Sequence, residues 1–241
     1  MTAREMHYDF KQKLNKIDSQ AFRNLIVPEI DWKLNEAQEI FVKIVAEPRL
    51  SSQYGFEVNQ RTIDDIRTIV INQSFSRGTC LTPTVFDNSS YLIALPTDYW
   101  FRVKAKVYAT KGNCVNKSLK AVLVQHDDED EESPFDRSNF EWRICNYRFI
   151  KEGIRAFTDS TFTINKFCLD YLRKPQMIHN AQDYVGGTYN TLSGVALTGT
   201  QPCELPEMVH KEIVDLAVLI AAGDLSLPDI RNKENKIKLT Q

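Results

Sequence analysis

The chain has 241 residues, 42% hydrophobic and 26% charged, with nine glycines and nine prolines. These values suit a globular protein and exclude a disordered, collagen-like or coiled-coil chain. Lys and Arg number 30 against 32 Asp and Glu, a net charge of -2, so the chain lacks the basic surplus of a protein that wraps nucleic acid. The length suits one or two domains with a proper core.

The opening Met1-Thr2-Ala3-Arg4-Glu5-Met6-His7-Tyr8-Asp9 has no apolar core of a secretory signal. No window approaches the roughly 20 apolar residues of a membrane span. Cys80, Cys114, Cys145, Cys168 and Cys203 are scattered, odd in number and form no Cys-x-x-Cys. They read as free thiols of a reducing compartment.

In chain order, Met6, Phe10, Leu14 and Ile17 form one apolar stripe and predict a helix. After Pro28, Ile30, Leu34, Ala37, Phe41, Ile44 and Val45 share the face of a second helix, which Pro48 stops. Ile63, Ile66, Ile69, Val70 and Ile71 predict a strand by the end of that stretch, and Tyr91–Leu95 a short strand ended by Pro96. Phe101, Val103, Ala105 and Val107 alternate with Arg102, Lys104 and Lys106, the pattern of a half-buried strand. Further strands are expected around Leu119–Val124, Phe140–Tyr147, Thr161–Cys168 and Tyr171–Lys174, with a turn at Lys111-Gly112-Asn113. A stretch rich in Thr, Ser, Asn and Gly follows, without periodicity. Pro206 and Glu207 then open a last helix, with an apolar stripe at Val209, Ile213, Leu216, Ala217 and Ile220 and a C-cap at Gly223.

Helices, then strands, then a helix predict an α+β fold: an N-terminal helical hairpin and a C-terminal helix packed with a central antiparallel sheet or sandwich. The expected divisions are a helical region of 1–50 with 204–225, a β-rich domain over 51–175, a long irregular loop over 176–203, and an extended tail over 226–241.

Catalytic motifs are lacking. Gly186-Gly187-Thr188 has no following Lys and is no phosphate loop. There is no Gly-x-Gly-x-x-Gly and no Gly-x-Ser-x-Gly. His7, His126, His179 and His210 are far apart, and Cys203 with His210 fits no zinc spacing; a buried thiol and a surface histidine are expected there. No enzyme activity, metal or cofactor is predicted. Asp127, Asp128, Glu129, Asp130, Glu131 and Glu132 form the most conspicuous local feature. They lack the glycine and spacing of a calcium loop. They read as a solvated loop between strands, or as a loop facing a DNA channel and repelling phosphate. His126 beside them is a candidate general base with no assignable nucleophile. Tyr99-Trp100-Phe101 and Tyr147-Arg148-Phe149, with basic neighbours, suit core packing or a base-stacking sheet face.

Three segments together carry a resemblance: Met6–Ile17 followed by Glu29-Ile30-Asp31-Trp32-Lys33-Leu34-Asn35-Glu36-Ala37-Gln38; Leu95-Pro96-Thr97-Asp98-Tyr99-Trp100; and Cys203-Glu204-Leu205-Pro206-Glu207-Met208-Val209-His210-Lys211-Glu212-Ile213-Val214. In this order they resemble the head-to-tail connector (adaptor or ring) proteins of crAss-like, short-tailed bacteriophages, similar in plan to podovirus tail tubular or gatekeeper proteins. The resemblance implies a structural virion protein made in the host bacterial cytoplasm. It implies a homo-oligomeric ring of about twelve copies, below a portal or adjacent ring and above a downstream tail protein. DNA would pass through without sequence-specific binding, and no membrane is involved. The locally basic tail, with Arg231, Lys233, Lys236 and Lys238, is a candidate docking element. The competing reading is a nucleic-acid-binding β-sheet module; a hydrolase built around His126 is a third.

Overall fold

The computed structural model describes residues 1–15, 25–46, 60–72, 80–125, 137–191 and 193–224. The fold is α+β and divides into two compact units, Met1–Ile69 with Pro175–Gln241, and Val70–Lys174.

The first unit is built on helices. α1 spans Ala3–Asn15. Its start is a reciprocal cap: Thr2 N–H donates to Glu5 Oε2 at 2.8 Å, and Glu5 N–H donates to Thr2 Oγ1 at 3.2 Å. Met6, Phe10 and Leu14 are buried as their spacing predicts; Ile17 lies outside the described residues. α2 spans Val27–Ala46 and carries Pro28 in its first turn, where the missing N–H costs nothing. Ile30, Leu34, Ala37, Phe41 and Val45 are buried, whereas Ile44 is exposed. α3 covers Gln60–Ile66 and continues as a 3-10 turn to Ile69. A strand was expected to emerge here, and it does only at β1, Val70–Ile71. The spacing of three at Ile63, Ile66 and Ile69 serves a helical face, and this outweighs β-branched propensity.

α4 runs His210–Asp224, entered through a 3-10 turn at Glu207–Val209 with Pro206 extended before it. It packs on both α1 and α2. Lys13 on α1 joins Asp9 and Asp215 at 2.7 Å each. Ile213, Val214, Ala217, Val218, Ala221 and Ala222 are buried, while Leu216 and Ile220 are half-buried. The buried arc is broader than the predicted stripe, and rotated, because two helices rather than one cover it. Gly223 sits inside the last turn, not after it.

Within 176–203, expected as a long irregular loop, the described residues include four short strands. β9 (His179–Asn180) pairs with β12 (Thr200–Gln201), and β10 (Thr188–Asn190) pairs with β11 (Ala196–Thr198). Asn35 on α2 holds it: its Nδ2 donates to Ile178 O at 2.7 Å and its Oδ1 accepts from Ile178 N at 2.8 Å. Ladders of two or three residues are too short to show a period of two.

The second unit is an eight-stranded sheet in the order β1-β8-β4-β5-β6-β7-β3-β2. Its strands are β2 (Thr84–Asp87), β3 (Ser90–Ile93), β4 (Tyr99–Lys111), β5 (Cys114–Leu123), β6 (Ile144–Ile150), β7 (Gly153–Phe157) and β8 (Thr163–Arg173). Every pairing is antiparallel except β5 with β6. That pair needs a crossover, which residues 124–143 provide. Residues 140–143, expected as strand, form turns instead, with Arg143 at φ 59°.

The sheet curls. Leu81, just before β2, exchanges backbone hydrogen bonds of 2.9 and 3.1 Å with Phe167 on β8. Ala105, Val107, Ala109, Leu119, Tyr147, Ile154, Phe167 and Leu169 pack together on the inner face. The Leu81–Phe167 bridge brings Cys80 beside Cys168, and the two form a disulfide. This corrects the expectation of five free thiols; Cys114, Cys145 and Cys203 are free. The partners lie 88 residues apart in sequence, so no spacing could reveal the pair.

Candidate assembly surfaces

At the centre of the first unit, α1, α2 and the short ladders meet on one carboxylate. Asp31, 2% exposed, accepts from His7 Nε2 at 2.6 Å, from the Tyr189 hydroxyl at 2.6 Å and from Asn180 N–H at 3.1 Å. A buried carboxylate is tolerable only with such donors around it. Burial first, then the bond to Asp31, pushes the Tyr189 hydroxyl well above its ordinary range, so it stays a donor. Among the described residues no Ser, Thr or Cys side chain bonds either ring nitrogen of His7. The His7–Asp31 pair staples α1 to α2, and Asp31 carries the link on to β9 and β10. Beside it lies a cavity of about 90 Å³ lined by Arg4, His7, Tyr8, Lys11, Val27, Asn180 and Asp183, room for a few waters.

His210, expected at the surface, is buried. Its Nε2–H donates to Leu205 O at 2.7 Å, and Nδ1 accepts from the Met1 amino group at 3.0 Å. Burial lowers its pKa, and the Met1 charge lowers it further against the opposing pull of the Leu205 carbonyl and Glu207. Cys203 is buried as expected, its thiol pushed up to about 11 chiefly by burial. Among the described residues, no group of three His, Cys, Asp or Glu side chains stands close enough to hold a metal ion.

In the second unit several basic residues stand against aromatic rings, Arg155 over Phe86 and Phe157 and Lys117 over Phe140 among them. Tyr147 is fully buried, and its hydroxyl accepts from Arg102 at 2.7 Å. Tyr99 packs on Phe149 and Tyr171, with ring centroids 5.8 Å apart in each pair. Of the aromatics that suited a base-stacking face, Tyr147 is in the core and Tyr99 and Phe149 pack against it, whereas the half-buried Trp100 and Phe101 stack on each other at 4.9 Å. The outer face carries charge. Cross-strand register places Lys106 opposite Lys120, Tyr108 opposite Lys166 and Lys104 opposite Asp170. Arg148 stands opposite Arg155 further along. Arg155 is neutralised by Asp87 at 2.5 Å and stacks over Phe86 and Phe157. Partial burial raises Asp87, but hydrogen bonds from Ser90, Ser89 and Arg155 outweigh it and hold the carboxyl at about 2.

The sequence-predicted site residues, His126, the Asp127–Glu132 run and the tail with Arg231, Lys233, Lys236 and Lys238, lie outside the described residues. The His7–Asp31 network and the outer lysine face were both missed. The lysine face had a signal, since Lys104 and Lys106 are the polar half of an alternation otherwise read only for its core half.

Comparison with known families decides what the chain is. The profile of the phage tail ring protein 3/4 family, from crAss-like phages, matches residues 1–227. The chain belongs to that family. No curated protein matches it. Membership makes the ring protein a structural component of the phage tail that assembles into rings with other tail proteins. No helix among its described residues is long and apolar enough to cross a membrane.

Proposed function

We propose that this ring protein is a subunit of the head-to-tail connector, joining the portal to the tail around the DNA channel. The family match over residues 1–227 is the observation that carries the proposal. A cyclic ring needs two unlike faces on each copy that fit one another, and we infer about twelve copies, in step with a dodecameric portal. A net charge of -2 suits a wall past which DNA slides without being gripped. Residues 226–241, with Arg231, Lys233, Lys236 and Lys238, dock on an adjacent ring or tail protein in this proposal. No cofactor is invoked, and the protein is made in the host cytoplasm before joining the virion.

The test is assembly of the purified full chain, alone and with portal dodecamers, viewed by electron microscopy. Rings coaxial with the portal support the proposal; a portal that never recruits the protein contradicts it. The nucleic-acid-module reading is weakened by Tyr147 in the core and by Tyr99 and Phe149 packed against it. Its own test is a steep fall of DNA affinity with salt.

A further inference from the structure

The seam of the curled sheet is thinly held. In the order β1-β8-β4-β5-β6-β7-β3-β2, the residues leading into β2 return to β8. Among the described residues their backbone pairing with β8 is the single Leu81–Phe167 bridge, with its two hydrogen bonds. Leu81 packs against the inner cluster to which Phe167 belongs, so a parted seam uncovers the core. One covalent bond reinforces the bridge. Cys80 and Cys168 stand opposite each other one residue along, with Cα atoms 4.5 Å apart. That is the separation of a cross-strand pair that shares no backbone hydrogen bonds. The bonded residues are 88 apart in sequence, and the loop between them contains β2 to β7. A cross-link over so long a loop removes much of the unfolded chain's freedom, whereas two backbone hydrogen bonds alone hold weakly.

The two sulfurs differ in access. Cys80 is half-buried, whereas Cys168 is 2% exposed, so a dissolved thiol or disulfide reaches the pair through Cys80. Cys145 and Cys203 are buried, and burial pushes their thiols up to about 12 and about 11, far from the thiolate that exchange requires. We propose that Cys80 and Cys168 form a redox clasp. It is a dithiol with a loose seam in the reducing cytoplasm of the host, and a disulfide that locks the seam once the particle is outside. The inference rests on the host-cytoplasm synthesis included in the proposed function. Closure is an exchange with a small-molecule disulfide such as glutathione disulfide. The Cys80 thiolate attacks one of its sulfurs, and one glutathione leaves with the electron pair and takes a proton. The Cys168 thiolate then attacks Cys80 Sγ, forms the Sγ–Sγ bond and expels the second glutathione, which also takes a proton. Two protein thiols are oxidised, and one external disulfide is reduced to two thiols.

The experiment holds the purified full-length chain in two glutathione buffers, one with the large excess of reduced form found in cytoplasm and one fully oxidised. Its cysteines are then alkylated and mapped by mass spectrometry. Free Cys80 and Cys168 are expected in the first buffer and a link between them in the second. A link that survives the reducing buffer makes the bond permanent and overturns the proposal, as does an oxidised chain without the link. The locking of the seam is read separately. The oxidised chain should melt about 10 °C above the reduced one. Reduction should speed amide exchange at Leu81 and Phe167 about tenfold relative to Val107 and Leu119, which pair across β4 and β5. Cys80→Ser, at a half-buried position, should match the reduced chain in both buffers. Equal melting and equal exchange in the two states overturn the clasp. No readout needs an assembled ring, so failure of this inference and failure of the connector reading are separate results.

Discussion

Gly153 carries the tightest residue-level constraint in the sheet. It opens β7 at φ 144°, and a Cβ there would lie 2.2 Å from the Ile93 carbonyl oxygen on β3. Gly153→Ala should cost roughly 2–4 kcal/mol, read as a lower denaturation midpoint, because both the backbone angle and the close approach demand glycine. His210 makes a second residue-scale prediction. Its folded pKa lies below the ordinary 6.5, lowered chiefly by burial. The unfolded chain therefore takes up its proton first as pH falls. The stability His210 contributes is complete above about 6.5 and is lost as pH drops through the lower folded value. Denaturation midpoints from about pH 7.5 to 5.5 should fall more steeply for wild type than for His210→Gln. Equal slopes would show that the buried imidazole is not the group responsible.

At the scale of elements, Ile213 is the position at which α4 is most exposed to test. It is fully buried in a helix that packs on α1 and α2. Ile213→Asp should cost about 3–5 kcal/mol by placing an unpaired carboxylate in the core; wild-type thermal stability would mean that α4 packs by another face. Elements of this kind were legible because they repeat. Met6, Phe10 and Leu14 on α1, and the Ala105–Val107 alternation on β4, each announce a buried face over several periods. Where the structure departs from the sequence reading, the signal was short or shared. Ile63, Ile66 and Ile69 are β-branched, which suggests a strand, while their spacing of three suits a helix. The β9–β12 ladders are too brief to show a period, and residues distant in sequence, Asp31 and Asn35 of α2, pin them. The parallel β5–β6 pair and the Cys80–Cys168 bond depend on where strands cross, which local pattern does not encode. The His7–Asp31 staple was hidden for the same reason: its members come from α1, α2, β9 and β10.

For the whole molecule, the near-zero net charge is an average over segregated patches. A lysine face on the β4–β5–β8 strands, an acidic run after β5 and a basic stretch near the C-terminus together leave 30 cations against 32 anions. Segregation of this kind favours oriented contacts between copies over adhesion to a polyanion. The C-terminal segment follows α4 in sequence, and 226–241 is polar and locally basic with no apolar stripe of its own. Deleting 226–241 should leave the thermal midpoint within a degree or two, the scale of changes that touch no core contact. The same deletion should weaken binding to a neighbouring ring or tail protein; undiminished co-assembly of the truncated chain would remove the docking role.

The most direct test of the connector account is an electron-microscopic image of the full-length chain mixed with portal dodecamers. The account predicts a closed ring of about twelve copies, coaxial with the portal and open at its centre for DNA. A monodisperse monomer that leaves the portal bare at every concentration tried would contradict it.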